Sequence, residues 1–280
     1  MNGAGPSSEM SMPDENVDAA RDQFRELGYY LNTEPMISGA RIDAARRAVD
    51  RVIAGDYETG VAPVQRNWLP GDDPCKLCKI DQAHLSDRTL WNVVTDPRLG
   101  ERIGRVVNAQ FVQLWAVQLL FKPPGPSDLG SIGWHQDIAY WKDAWEGEVF
   151  TAWLALSGVG LDSGPMIFVP HSHRWGELGN LDFWNTDRES QRERIGIPAG
   201  ESWSEIPAVL RPGAFSLHSP YLVHGSGPNT SQSPRVSLAL HLRTERSKPN
   251  LRATQFPKYT ASYMPYLDRP DICPMIWKMP

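Results

Sequence analysis

The feature that most limits what this chain can become is a change of pattern near Gln110. Beyond it, runs rich in β-branched and aromatic residues recur at Phe111–Phe121, Phe150–Val159, Met166–Val169, Ala214–His218, Tyr221–His224 and Val236–Leu242. Turn-forming clusters separate them: Lys122-Pro-Pro-Gly125, Asp162-Ser-Gly-Pro165, Arg211-Pro-Gly213 and the stretch from Gly225 to Pro234. Proline removes a ladder donor and glycine admits turn conformations, so short strands with this punctuation predict a sandwich or barrel. Upstream the period is helical. Val17–Leu27 reads as an amphipathic helix closed by Gly28, with Tyr29–Leu31 a strand after it. Ser38–Ala54 is a helix with Ile42, Ala45, Val49 and Ile53 on one face, and Asp87–Val107 holds one or two helices around Pro97. The expected organisation is a disordered leader over residues 1–16 and one domain over 17–280. Within that domain lie a helical part (17–109), a β core (about 110–245) and a polar, aromatic insertion (about 175–207) of lid-like character.

Composition removes several classes of function. A formal net charge of -5 disfavours a nucleic-acid partner, and no apolar run approaches the 18 residues that suggest a membrane helix. The first residues lack an apolar signal-peptide core. Three cysteines, Cys75, Cys78 and Cys273, suit a reducing, cytoplasmic setting. Cys75 and Cys78 have half the spacing of a zinc site without a second pair to complete it, and read as structural thiols. Expected partners are therefore a small-molecule substrate, with the chain a monomer or homodimer. Lys79, Asp81 and Gln82 form a polar cluster that reads as a surface loop.

Three sequence elements carry chemistry together, although each has an ordinary reading alone. In Trp134-His135-Gln136-Asp137 an extended backbone would put His135 and Asp137 on one side, but His-x-Asp also occurs in surface turns. His224 ends an apolar run before a glycine-rich turn, a place where a histidine is often a satisfied core residue. Arg235 follows eleven residues later, where it is either a solvated strand end or a bidentate grip on a carboxylate. Two histidines and one carboxylate leave adjacent positions open on an ion, the arrangement of iron(II) oxygenases.

The chain at this point resembles the phytanoyl-CoA dioxygenase family of iron(II)/2-oxoglutarate oxygenases. The matching stretches are Phe121-Lys-Pro-Pro124, Trp134-His-Gln-Asp137, Thr151-Ala-Trp-Leu-Ala-Leu156, Ser163-Gly-Pro-Met-Ile-Phe-Val-Pro-His-Ser-His173 and His224-Gly-Ser-Gly-Pro-Asn229, then Arg235. The resemblance implies a mainly β fold with flanking α-helices around a double-stranded β-helix (jelly-roll, cupin-like) core. It implies iron on His135, Asp137 and His224, with 2-oxoglutarate and dioxygen as co-substrates. It places the distal carboxylate of 2-oxoglutarate on Arg235 with Ser237 nearby and Trp153 lining the pocket, while Gln118 and Lys122 approach the same space. Pro170-His-Ser-His173 departs from the family's more frequent Pro-Gly-Ser-His, which puts that turn's geometry in question. Because Asp137 is retained, halogenation, which needs a small residue there, is not expected.

Beyond the metal motif, Trp134, Tyr140, Trp141 and Trp145 read either as core or as an aromatic wall for substrate. Tyr140, Trp141 and Trp184 are the candidate substrate residues, with Trp175, Phe183 and Trp184 able to close over the cavity. His171 and His173 read as turn-fixing, and His218 and His241 as structural strand residues. The expected activity is C–H oxidation (hydroxylation, ring closure, desaturation or epimerisation) of a small apolar or polycyclic metabolite, as in natural-product and antibiotic tailoring. Acyl-CoA or amino-acid hydroxylation is the alternative within the family, and a cupin-like metal-dependent binding protein or isomerase the alternative outside it.

Overall fold

The computed structural model describes residues 17–125, 128–250 and 266–280; the expected leader, 1–16, lies outside them. Its helical part runs α1 (Val17–Leu27), β1 (Tyr29–Asn32), α2 (Gly39–Ala54), β2 (Gln65–Arg66), β3 (Cys78–Asp81), α3 (Arg88–Val94) and α4 (Pro97–Val107). The rest runs β4 (Phe111–Lys122), β5 (Ile132–His135), α5 (Ile138–Trp141), β6 (Trp145–Ala155), β7 (Met166–Phe168), α6 (Arg188–Arg194), β8 (Ile206–Pro207), β9 (Phe215–His218), β10 (His224–Ser226), β11 (Arg235–Pro249) and β12 (Met275–Lys278). The major sheet is ordered β1-β9-β6-β11-β4-β3-β2 with β12 also on β4, and the minor sheet β5-β10-β7-β8. The strand pairings are antiparallel. This is the expected jelly-roll core with helices on one face.

Two-residue alternation in the major sheet decides which side chains meet the helices and which meet the site. Val117, Leu119, Ala152, Leu154, Val236, Leu238 and Leu240 join α2, α3 and α4 in one apolar core. Their neighbours Leu120, Trp153, Ala155 and Ala239 pack with Ile132, Met166 and Phe168 of the minor sheet in a second. The helices are held by local caps: Asp87 accepts from Thr89 N–H and Leu90 N–H, and Asp96 from Arg98 N–H and Leu99 N–H just ahead of Pro97. Among the described residues no helix is long and apolar enough to cross a membrane.

Four expectations need correction. Cys78–Asp81 is not a surface loop but strand β3, paired with β4; Cys78 and Ile80 enter the helix-side core while Asp81 and Gln82 are buried. Four residues are too few for their alternation to stand out. Tyr221–Val223 does not form a strand, because Leu222 N–H closes a turn on Ser219 O and Val223 N–H is taken by Ser172 Oγ; the strand begins at His224. Strand β6 starts at Trp145 and stops at Ala155, with Val159 making only an isolated bridge to Leu210. Finally, β11 continues seven residues past Leu242, to Pro249, and β12 carried no sequence signal strong enough to be anticipated.

Candidate metal centre and its cavities

His135 and Asp137 converge, but not through an extended backbone. His135 is the last residue of β5, and Asp137 has left the strand at φ -58, ψ -32 as the residue before α5. Chain reversal after Gln136, whose amide donates to Tyr221 O and Gly176 O, swings the carboxylate back beside the imidazole. His224 opens β10 directly opposite His135 in the ladder. Nε2 of His135 and of His224 lie 3.8 and 3.9 Å from Asp137 Oδ1, and the two rings are 4.0 Å apart. Among the described residues these three form the group of potential metal ligands, with ligand atoms within 4.8 Å of one another.

Each imidazole is oriented by its own backbone. Nδ1 of His135 lies 2.9 Å from Gly133 O, and Nδ1 of His224 2.9 Å from Leu222 O. A carbonyl only accepts, so both Nδ1 atoms carry the proton and both Nε2 lone pairs face the carboxylate. Burial lowers both histidines' pKa values and so keeps the rings neutral. Burial alone would raise the Asp137 pKa, but the hydrogen bond from His218 and the surrounding imidazoles outweigh it and hold it below the usual carboxylate range. The donor set is thus an ionised carboxylate and two neutral imidazoles, which suits a divalent cation.

A cavity of about 50 Å³ opens from this cluster and is lined by Gln118, Trp153, Met166, Ser226 and Arg235 among others. Arg235 is 1% exposed. Nη1 donates to Gly164 O at 3.1 Å, and Cζ sits 5.1 Å from the centre of the Trp153 ring. Among the described residues neither its Nε nor its Nη2 has a hydrogen-bond partner. Burial pushes its pKa down to about 9, still above neutrality, so the guanidinium is charged.

Lys122 and Ser237 were expected in this space, and both lie on the sheet face that carries Arg235. Neither lines the cavity. Lys122 Nζ instead crosses to the minor sheet, donating to Ser226 Oγ at 2.6 Å and Gly227 O at 2.5 Å, and Ser237 Oγ donates to Leu120 O at 3.5 Å.

A second cavity, about 170 Å³, shares Gln118, Asp137, Phe183 and His241 with the first. Tyr140, Trp141 and Trp184 line it as expected, facing Gln65 and Lys79 from β2 and β3. Trp175 does not: it packs away from the site against Trp203. The insertion follows the free edge of β5, with Gly133 N–H donating to Phe183 O, Asp182 N–H to Trp134 O, and the Gln191 amide bridging both backbone groups of Trp134.

Sequence reasoning missed four polar residues of the first cavity: Thr151, His218, Ser226 and His241. His218 and His241 were read as structural strand histidines. The alternation Arg235, Ser237, Ala239, His241 was a usable signal for the last of these.

A family model for phytanoyl-CoA dioxygenase (PhyH) matches residues 11–237. Mouse phytanoyl-CoA dioxygenase domain-containing protein 1 is 26% identical over 188 residues, covering 66% of this chain and 63% of that protein. Bovine peroxisomal phytanoyl-CoA dioxygenase is 22% identical over 228 residues, covering 78% of this chain and 66% of that protein. The chain thus spans somewhat less than two thirds of the length of these relatives. The solved structure of the non-heme alpha ketoglutarate dependent carbocyclase SnoK from nogalamycin biosynthesis superposes with a TM-score of 0.65 at 22% identity, covering 88% of this chain and 89% of that one. At that identity the likeness is one of fold.

Proposed function

Since the chain belongs to the phytanoyl-CoA dioxygenase family, we propose that it is an iron(II)- and 2-oxoglutarate-dependent oxygenase. In this reading His135, Asp137 and His224 hold the metal, and Arg235 receives the distal carboxylate of 2-oxoglutarate in the smaller cavity. The observation that carries it is Arg235 itself, a charged guanidinium buried in the same cavity as the three converging donors, with Nε and Nη2 unpartnered. A buried fork of this kind is costly unless an anion meets it, and a carboxylate matches its geometry.

With the metal bound, iron(II), 2-oxoglutarate and dioxygen supply C–H oxidation coupled to conversion of the co-acid to succinate and carbon dioxide. The protein's part is placement. Trp153 supports the guanidinium from one face. Gln118, Phe183 and His241 stand between the two cavities and set how closely a substrate approaches Asp137 and its partners. The larger cavity is the substrate site, with Tyr140, Trp141, Phe183 and Trp184 as an aromatic wall for a ring-bearing metabolite. Among the described residues its cationic lining residue is Lys79, which is ion-paired with Asp81; this favours a neutral substrate over a polyphosphate-bearing acyl-CoA. A tailoring step in natural-product assembly, such as the nogalamycin biosynthesis to which SnoK belongs, fits such a substrate.

Purified protein given iron(II), 2-oxoglutarate and air is expected to release succinate slowly without substrate, and faster with a fitting ring compound. Absence of both succinate release and 2-oxoglutarate binding in the metal-loaded protein would overturn the proposal.

A further inference from the structure

Three histidines surround Asp137, and their second ring nitrogens divide them into two kinds. His135 and His224 each give Nδ1–H to a backbone carbonyl and turn a bare Nε2 toward Oδ1. His218 has no such partner: among the described residues its buried Nδ1 is unpaired, and its Nε2 lies 3.3 Å from the other carboxylate oxygen, Oδ2. An ionised carboxylate offers only acceptors, so the proton at that contact belongs to His218 Nε2.

Thr151 adds a second donor. Its hydroxyl is 3.0 Å from Asp137 Oδ2 and 3.1 Å from His241 Nδ1. A hydroxyl has one proton, and the carboxylate has none to give, so Thr151 donates to Oδ2 and accepts from His241 Nδ1–H. Oδ2 therefore receives two hydrogen bonds, while Oδ1 faces the two bare nitrogens. The three residues form one rung of the major sheet: Thr151 on β6 pairs with His218 on β9 and with His241 on β11. All three are at least 96% buried, and the rung meets the carboxylate arriving from the minor-sheet side.

We infer that His218 and Thr151 are positioning residues that hold the outer oxygen of Asp137, with His241 directing the Thr151 hydroxyl, so that Asp137 offers the metal a single oxygen, Oδ1. His218 shares the cavity but is not a fourth ligand: its Nε2 is committed to the carboxylate, and it stands outside the group of converging ligand atoms found among the described residues. The inference rests on the metal centre proposed above and extends it by separating ligand from non-ligand histidines.

Copper(II)-loaded protein studied by pulsed electron paramagnetic resonance reports how many imidazoles are bound. Two are expected, both in wild type and in His218→Gln, which keeps a donor. Three in wild type falling to two in His218→Gln would make His218 a ligand and overturn the inference. Manganese(II) titration supplies the second readout: Thr151→Val and His218→Phe are expected to weaken binding about 10- to 100-fold. Thr151→Ser and His218→Gln should stay within roughly threefold of wild type, since each retains a donor. Thermal melting of each metal-free variant separates this effect from misfolding, and wild-type affinity in a folded Thr151→Val variant would also overturn the inference. If wild type takes up no metal at all, the proposed centre falls and this inference with it, a result distinct from a third imidazole.

Discussion

Arg235 is a residue whose two properties pull in opposite directions. Burying an unpaired guanidinium costs stability, while meeting a carboxylate with it gains affinity. Arg235→Gln is therefore expected to raise the thermal stability of the metal-free protein by about 1–3 kcal/mol. The same change should raise KM for 2-oxoglutarate on the order of 100-fold, since truncating one partner of a buried charge pair typically costs about 2–5 kcal/mol. Melting curves and steady-state kinetics on the same variant check both signs. At this scale the meeting of His135, Asp137, His224 and Arg235 in one cavity was readable from their order and spacing, although the extended backbone expected between the first pair does not form. Asp137 reaches the site by a turn into α5, not by strand alternation. Thr151 and His218 were not readable, because their role depends on which residues lie across the ladder, and cross-strand register is not written in one strand's sequence. The turn at His171 shows how a departure from a family pattern is accommodated. This residue takes φ +67, the left-handed conformation that glycine adopts without penalty, and its Nδ1 bonds Glu26 O at the end of α1.

Among the elements, β5 is the most exposed to failure, since it carries His135 yet lies at the edge of the minor sheet. The insertion covers that edge. Gly133 permits the approach: a Cβ there would stand 2.1 Å from Asp182 O and 2.6 Å from Asn185 O. Gln191, fully buried, accepts from Trp134 N–H at 2.7 Å through Oε1 and donates to Trp134 O at 2.7 Å through Nε2. Gln191→Ala strands a buried backbone N–H and is expected to cost about 1–3 kcal/mol. The loss should be local, seen as faster hydrogen exchange across 175–207 and a raised substrate KM with kcat nearly unchanged. Unchanged exchange there would show that the insertion is held by other contacts. The insertion was legible as an interruption of the strand pattern, but its attachment to β5 was not. That attachment runs through backbone groups and one glutamine, which leave no periodic trace. Strand β3 was hidden for a related reason: its polar residues Lys79 and Asp81 lie on the sheet face opposite the helix-side core, with Lys79 lining the second cavity, so its chemistry resembled a loop.

For the molecule as a whole, buried histidines set the response to acid. His84, 1% exposed and stacked on Trp91 at 5.7 Å, lies far along the chain from the candidate ligands, and burial pushes its pKa down to about 3. The folded state keeps it neutral, whereas the unfolded chain takes up a proton near pH 6.5. The stability this neutral group contributes is thus complete above about pH 6.5 and is lost as pH falls toward 3, by about 1.4 kcal/mol per pH unit. Denaturant titrations between pH 7 and 4 should show His84→Phe with a slope shallower by one proton; an unchanged slope would place the acid sensitivity elsewhere. The fold was broadly visible in the alternation of short strands and turns, and the helices in their apolar faces and capping residues. The division of the site into two cavities was not visible, since it follows from how two sheets close on each other.

The central claim, that this cavity holds iron(II) and 2-oxoglutarate together, is tested most directly by anaerobic titration of 2-oxoglutarate into the iron(II)-loaded protein. Chelation of the metal by the 2-oxo acid produces a visible charge-transfer band. The expected band saturates at one equivalent, shifts to much higher 2-oxoglutarate concentration in Arg235→Gln, and is absent in Asp137→Ala. Iron uptake by wild type with no such band, or a band indifferent to both substitutions, would contradict it.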